Sequence, residues 1–244
     1  MCGRYVSASE PDEIARYFGA DLAETLVDAT PEANFNVAPT SRVFVVLATG
    51  ETRRVDTARW GLVPSWAKDL SIGAKMINAR AETLAKSNAF KRAFQRKRCI
   101  VPADGFYEWQ AIAGQKRKQP MFIHRADGDR FAFAGLWELW RNPDAPDDPP
   151  LRTCTIITGQ PNEKVAQVHD RMPVMLAPEA WSTWLDPTNH DLDLLGKLLV
   201  PAPASIIAMH PVSLAVNNAR NNEPTLIDEV TIEPLHEGTQ IRLL

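Results

Sequence analysis

Apolar positions along the chain fall into short alternating runs more often than into helical stripes. Arg42–Ala48 (RVFVVLA) is rich in β-formers, and after a turn at Gly50 a second alternating run covers Thr52–Trp60. Four more strand candidates follow: Cys99–Ala103, Phe106–Ala111, Pro120–His124 and Arg130–Trp140. Gly114–Gln119 reads as a basic hairpin turn between the second and third of these. Thr153–Thr158 (TCTIIT) has the continuous apolar character of a buried strand.

Helical spacing is confined to shorter pieces. Residues 10–18 carry acids in their first turn behind Ser9 as a cap. Ser87 can cap a basic amphipathic helix that gathers Ala89, Phe90, Ala93 and Phe94 on one face. Residues 178–185 and 190–199 each begin near Pro or Asp. Residues 141–150 (RNPDAPDDPP) form an acidic, proline-rich loop, expected to be mobile. Such a loop can divide two domains, but apolar strands flank it on both sides. The pattern predicts an α+β fold, a single β-rich domain over residues 1–244 with peripheral helices.

Composition narrows the class. The 244 residues suffice for a sizeable core. A 45% hydrophobic and 23% charged content argues against intrinsic disorder. No stretch approaches 18 unbroken apolar residues, so no membrane span is expected. The start, MCGRYVSASEPDE, lacks the basic and apolar regions of a signal peptide. Three cysteines, an odd count, suit a reducing cytoplasmic setting better than a disulfide framework. There is no CxxC or HxxxH, and Cys2, Cys99, Cys154, His124 and His169 are scattered, so no metal is expected. No phosphate-cradling Gly loop or GxSxG elbow is present, and no cofactor is predicted. Cys99 and Cys154 lie in apolar strands and read as buried, inert thiols.

The net charge of −3 hides a split. Residues 33–125 hold 17 Lys and Arg against 6 Asp and Glu, a local +11, whereas residues 131–244 hold 7 against 15. Within the basic window, Lys86–Arg98 carries six positive charges and no acid. Such a stretch is either a solvated helix face or the footprint of a polyanion-binding surface.

Candidate chemistry begins at Cys2. Small residues at position 2 normally permit removal of Met1, which leaves Cys2 as a 1,2-aminothiol. Its α-amine, with a reference pKa of about 7.7–8.0, is partly unprotonated at neutral pH. Its thiol, near 8.5, is a modest shift from thiolate. Adjacent amine and thiol have one distinctive reaction: the amine condenses with an aldehyde to a Schiff base, and the thiol closes a five-membered thiazolidine. The bland alternative is a small residue in a frayed terminus.

Other segments concentrate polar groups in apolar surroundings. Gly105–Trp109 (GFYEW) sets Glu108 among aromatics, which would desolvate it and raise its pKa toward general acid–base use. A strand glutamate facing water or an arginine is the alternative. His169–Pro173 (HDRMP) is a tight polar turn in which His169 can shuttle protons. Asn78–Thr83 (NARAET) follows a loop and opens a helical stretch. Arg59–Trp66 (RWGLVPSW) sets two tryptophans six apart, one suited to the core and one to stacking on bases.

These segments, with Met1–Tyr5 (MCGRY) and Asn36–Thr40 (NVAPT), occur in an order that closely resembles the SOS response-associated peptidase (SRAP) family, over residues 2 to about 220. The resemblance implies a protein that binds single-stranded DNA and crosslinks to an abasic site, whose ring-opened sugar exposes a C1′ aldehyde. By that resemblance Cys2 supplies amine and thiol, Glu108 relays protons, and His169 promotes ring opening and later reversal. Asn78 holds the sugar or the N-terminus. Arg4, Arg80 and Arg171 clamp phosphates, and Trp66, with Pro39 beside it, wedges against bases flanking the lesion. Where some members carry a further DNA-contacting arginine this chain has Asn88, leaving Lys86, Lys91 or Arg92 to substitute. The family's name implies release of the protein's own Met1. A monomer is expected, cytoplasmic and nucleoid-associated when bound to DNA. Two other readings stay open: an N-terminal-nucleophile glutamine amidotransferase using Cys2, and a non-catalytic single-strand binder.

Overall fold

The computed structural model describes residues 2–26, 30–50, 52–114 and 116–232. In chain order its elements begin with β1 (Tyr5–Ser7), α1 (Pro11–Phe18), β2 (Ala20–Leu22), β3 (Asn34–Val37), β4 (Arg42–Thr49) and β5 (Thr52–Trp60). Next come β6 (Asn78–Arg80), α2 (Lys91–Arg96), β7 (Arg98–Ala103), β8 (Gly105–Gln110), β9 (Gln119–Arg125) and β10 (Phe131–Trp140). The chain continues with β11 (Leu151–Gly159), β12 (Met172–Pro173), α3 (Trp181–Leu185), α4 (Leu192–Lys197) and β13 (Ile207–Pro211).

The alternation at 42–60 folds as an antiparallel hairpin, in register from Arg42 opposite Arg59 to Thr49 opposite Thr52. Pairing then runs from β4 to β7, β10 and β11, and β11 returns to β5 as a parallel neighbour. That last pairing closes the sheet into a barrel-like ring, which removes exposed edges. A second sheet, ordered β13-β9-β8-β1-β3, packs beside it. Alternation sends the two sets of side chains into two cores. Val43, Val45, Trp60, Val101 and Phe133 join Tyr5, Phe106 and Ile123 of the second sheet. Phe44, Val46 and Ile100 instead meet Ile14 and Phe18 of α1 and Trp181 and Trp184 of α3. The expected β-rich α+β fold with peripheral helices is therefore the observed one, with its core divided between the two faces of the main sheet.

Local details differ from expectation. Ser9 does not cap α1. Glu10 holds the N-cap position without a side-chain bond, and the Ser9 hydroxyl donates to Asp104. Ser87 gives α2 only its backbone carbonyl, at 2.8 Å from the Lys91 N–H. Asn78–Arg80 is a strand beside β11, and only Ala81–Thr83 turns helically, as a single 3-10 turn. Residues 141–150 form successive turns closed by Arg141, which donates to the carbonyls of Pro146 (2.7 Å) and Asp148 (3.1 Å). Among the described residues, no helix is long and apolar enough to cross a membrane, and no cluster of three metal-ligating side chains occurs.

The segment from β5 to β6 depends on one close backbone crossing. Gly61 has φ 124°, and a Cβ there would lie 2.6 Å from the Gly73 carbonyl oxygen. Gly61→Ala therefore combines backbone strain with a clash against backbone. It should cost more than about 2 kcal/mol, read as a lowered urea midpoint at unchanged m-value.

Candidate active site and nucleic-acid interface

The register between β1 and β8 builds the centre. Tyr5 pairs with Phe106, and the Tyr107 N–H donates to the Arg4 carbonyl at 3.0 Å. Continued one step, this register sets Gly3 opposite Glu108, and the adjoining Cys2 lies near enough to feel the Glu108 charge. Cys2 is fully buried and Glu108 is 2% exposed. Cys2 is held from the other side by Asn78, whose Nδ2 donates to the Cys2 carbonyl at 2.7 Å. Asn78 reaches it because β6 lies parallel to β11, with Asn78 beside Ile156. Asn78 Oδ1 is buried with no hydrogen-bond partner among the described residues, an unused acceptor on the side chain that holds Cys2.

His169 approaches from the turn before β12, with Nε2 3.8 Å from Glu108 Oε2. The Arg171 N–H donates to His169 Nδ1 at 3.0 Å. A backbone N–H can only donate, so the neutral ring carries its proton on Nε2, toward Glu108. Asp170 Oδ1 also lies 3.0 Å from Nδ1, but that carboxylate is 88% exposed and rotates freely, whereas the backbone donor is fixed.

Burial sets the protonation states. It raises the Glu108 carboxyl to about 7, with Asp170 adding to the shift and Lys118 opposing it. This agrees with the desolvation expected from the GFYEW aromatics. Burial lowers the His169 pKa, leaving a neutral imidazole at pH 7. The thiol departs from expectation: burial, reinforced by Glu108, pushes Cys2 well above the usual thiol range. Cys2 is therefore no ready thiolate and needs a base when it reacts. Cys99 and Cys154 are buried and raised too, Cys154 to about 12, which fits inert core thiols.

The arginines occupy different situations. Arg80 is exposed and makes no side-chain bond among the described residues. Arg4 donates through Nη1 to Asn36 Oδ1 (2.7 Å) and the Val216 carbonyl (2.9 Å). Arg171 makes a two-pronged pair with Glu82 at 2.7 and 2.9 Å and also donates to the Thr158 carbonyl. A phosphate arriving at Arg171 must share it with Glu82 or displace that carboxylate.

The tryptophan pair divides cleanly. Trp60 is fully buried with Nε1 donating to the Ile77 carbonyl, whereas Trp66 is 61% exposed. Pro39 is half-buried, in a turn where Thr40 adopts φ 74° and donates its N–H to the Trp60 carbonyl at 2.8 Å. That bond pins the Pro39 turn to the start of the Trp66 segment. A β-branched residue at positive φ is a local strain that its surroundings must hold. Asn88 lies on a surface recess with Lys91, Arg92 and Arg96, a locally basic patch.

Three contributors had no assigned role in the sequence reading. Asn36 is buried and bonds through Nδ2 to the carbonyls of Val216, Asn218 and Asn221, tying that segment under Arg4. Asn217 accepts from Trp109 Nε1 at 2.6 Å, closing the rim beside Glu108. Lys118, from the basic hairpin turn, is near enough to depress both Glu108 and His169. Asn36 was in a quoted motif, but nothing local signals which distant carbonyls it serves.

Comparison with known proteins gives consistent matches. The model of the SOS response associated peptidase (SRAP) family matches residues 1–219. The Bacillus subtilis abasic site processing protein YoqW is 45% identical, over 93% of this chain and 99% of its own length. Escherichia coli YedK, also named abasic site processing protein, is 32% identical over 94% and 100%. A crystal structure of a protein from Bacteroides thetaiotaomicron superposes with a TM-score of 0.84, at 23% identity, over 94% and 100% of the two chains. That likeness speaks for the fold.

Proposed function

The chain belongs to the SRAP family, and from that premise we propose that it processes abasic sites in single-stranded DNA by a covalent crosslink at Cys2. The observation that carries the reading is the enclosure of Cys2 by Asn78, Glu108 and His169. Once Met1 is removed, the Cys2 amine attacks the C1′ aldehyde of the ring-opened sugar, and loss of water gives a Schiff base. The thiol then adds to the imine carbon, its proton passes to the nitrogen, and a thiazolidine closes. The net reaction joins aldehyde and aminothiol with release of one water.

Each neighbour has a task in that sequence. A carboxyl near pKa 7 can both give and take protons at neutral pH, so Glu108 serves dehydration and thiol deprotonation. His169, neutral with its proton on Nε2, assists ring opening. Asn78 fixes the Cys2 carbonyl and offers Oδ1 to the amine or a sugar hydroxyl. Arg80, Arg4 and Arg171 meet phosphates, and Trp66 stacks on a flanking base.

The intact mass of the purified protein, before and after incubation with abasic single-stranded DNA, tests the proposal. Loss of Met1 followed by gain of one DNA strand less one water is expected. Unchanged mass after incubation rules the reading out, and salt-sensitive binding indifferent to the lesion would leave only a single-strand binder. Trp66→Ala tests the stacking role separately. It should leave stability within about 0.5 kcal/mol, as an exposed site, and weaken single-strand affinity by about 1–3 kcal/mol in fluorescence anisotropy.

A further inference from the structure

A cavity of about 1000 Å³ opens where β4, β5 and β11 meet, away from Cys2. Four arginines line it, Arg42, Arg54, Arg59 and Arg152, against the two carboxylates Asp56 and Glu24. Asp56 is already committed. It pairs with Arg152 at 2.6 Å and Arg54 at 3.8 Å, and accepts from Thr25 and the Thr57 N–H. Arg54 Nε, Arg152 Nε and Arg59 Nη1 are buried with no acceptor among the described residues. Arg42, exposed and directly across from Arg59, makes no side-chain bond among them either.

Two guanidinium groups on one engaged carboxylate, with two more lining the same cavity, leave both charge and donors uncompensated, which is costly unless a ligand supplies acceptors. A phosphate offers several oxygens and matches the guanidinium fork. Pro149, Pro150 and Leu151 add an apolar part to the lining that suits a sugar or base.

The cavity also connects to the Cys2 centre. Thr40, on its wall, follows Pro39 directly, and the strained Thr40 backbone holds that turn. Along β11, Thr153 lies beside Arg59 and Ile156 beside Asn78, a separation of about 10 Å at strand spacing. We propose that this arginine cavity is a second phosphate-binding site, which takes backbone phosphates of the strand whose abasic site sits at Cys2. The proposal rests on the crosslinking function above and extends the DNA track to Arg42, Arg54 and Arg152, which lie outside the sequence motifs, with Arg59 at the edge of one.

The test is fluorescence anisotropy with intact single-stranded oligonucleotides of graded length, titrated with salt, on the wild type and an Arg42→Gln/Arg59→Gln double variant. Losing two phosphate contacts should lower the slope of log affinity against log salt by about 1.4 on long strands. On strands too short to span both sites the variant should match the wild type. It should also crosslink a short abasic oligonucleotide at wild-type yield, which shows that the fold and Cys2 centre are intact. Arg42→Gln alone, at an exposed position, repeats the test with half the slope change should the double variant fold poorly.

Equal slopes on long strands overturn the proposal. So does loss of labelled deoxynucleoside monophosphate binding in the variant with the DNA slope unchanged, since that assigns the cavity to a free nucleotide. Absent crosslinking by the wild type with the slope difference preserved would instead sink the Cys2 chemistry and leave the phosphate contact standing.

Discussion

Cys2→Ala will give no adduct that survives denaturation when incubated with abasic single-stranded DNA, a loss of at least 1000-fold on the order expected when a covalent nucleophile is removed. Cys2→Ser is the sharper variant. It keeps the amine, so it should form a Schiff base that borohydride traps, yet no stable product without reductant. A protein retaining Met1 keeps the thiol and loses the amine at Cys2, and should fail as completely as Cys2→Ala. The three results together separate the two halves of the aminothiol. Because burial raises the Cys2 thiol, the yield should not follow a thiolate titration near pH 8.5. Affinity for intact single strands, unchanged in Cys2→Ala, serves as the folding control. Equal adduct yield with Cys2→Ala places the nucleophile elsewhere and ends the proposal.

The β-centred core was legible because its strands are long and locally patterned. Arg42–Trp60 reads as a hairpin from its own alternation, and β10 and β11 announce themselves by long or continuous runs of β-formers. The strands that escaped, β1, β2, β3, β6, β12 and β13, are two to five residues long, and each exists through a partner elsewhere in the chain. Tyr5 pairs with Val37 and Phe106, and Asn78 with Ile156. Cys2 and Glu108 were legible as chemistry, but their meeting depends on the β1–β8 register, which no local pattern encodes. Likewise, two tryptophans six apart look alike until one finds the Ile77 carbonyl in the core and the other finds solvent. The thiol was misjudged for the same reason. A reference pKa assumes water, and Cys2 has none of it.

Glu108→Gln should slow crosslinking by about 10²–10⁴-fold, the usual range for a lost general acid–base group, while making the protein more stable at pH 8. The sign follows from the raised carboxyl. With a pKa of about 7 folded against 4.5 unfolded, the native state binds the Glu108 proton more tightly. That contribution is fully present below pH 4.5, declines as pH rises, and is gone above about 7. Holding the ionised, buried carboxylate at pH 8 then costs on the order of 3 kcal/mol, which the neutral amide avoids. His169 offers little relief, since burial keeps it neutral there. Urea midpoints should therefore converge at pH 4 and separate by pH 8, with Glu108→Gln the more resistant. A variant less stable than wild type at pH 8 would mean that the carboxylate is held by compensating charge and is structural. Gain of stability with loss of crosslinking is the opposite signature, that of a group kept in an unfavourable place for the proton it moves.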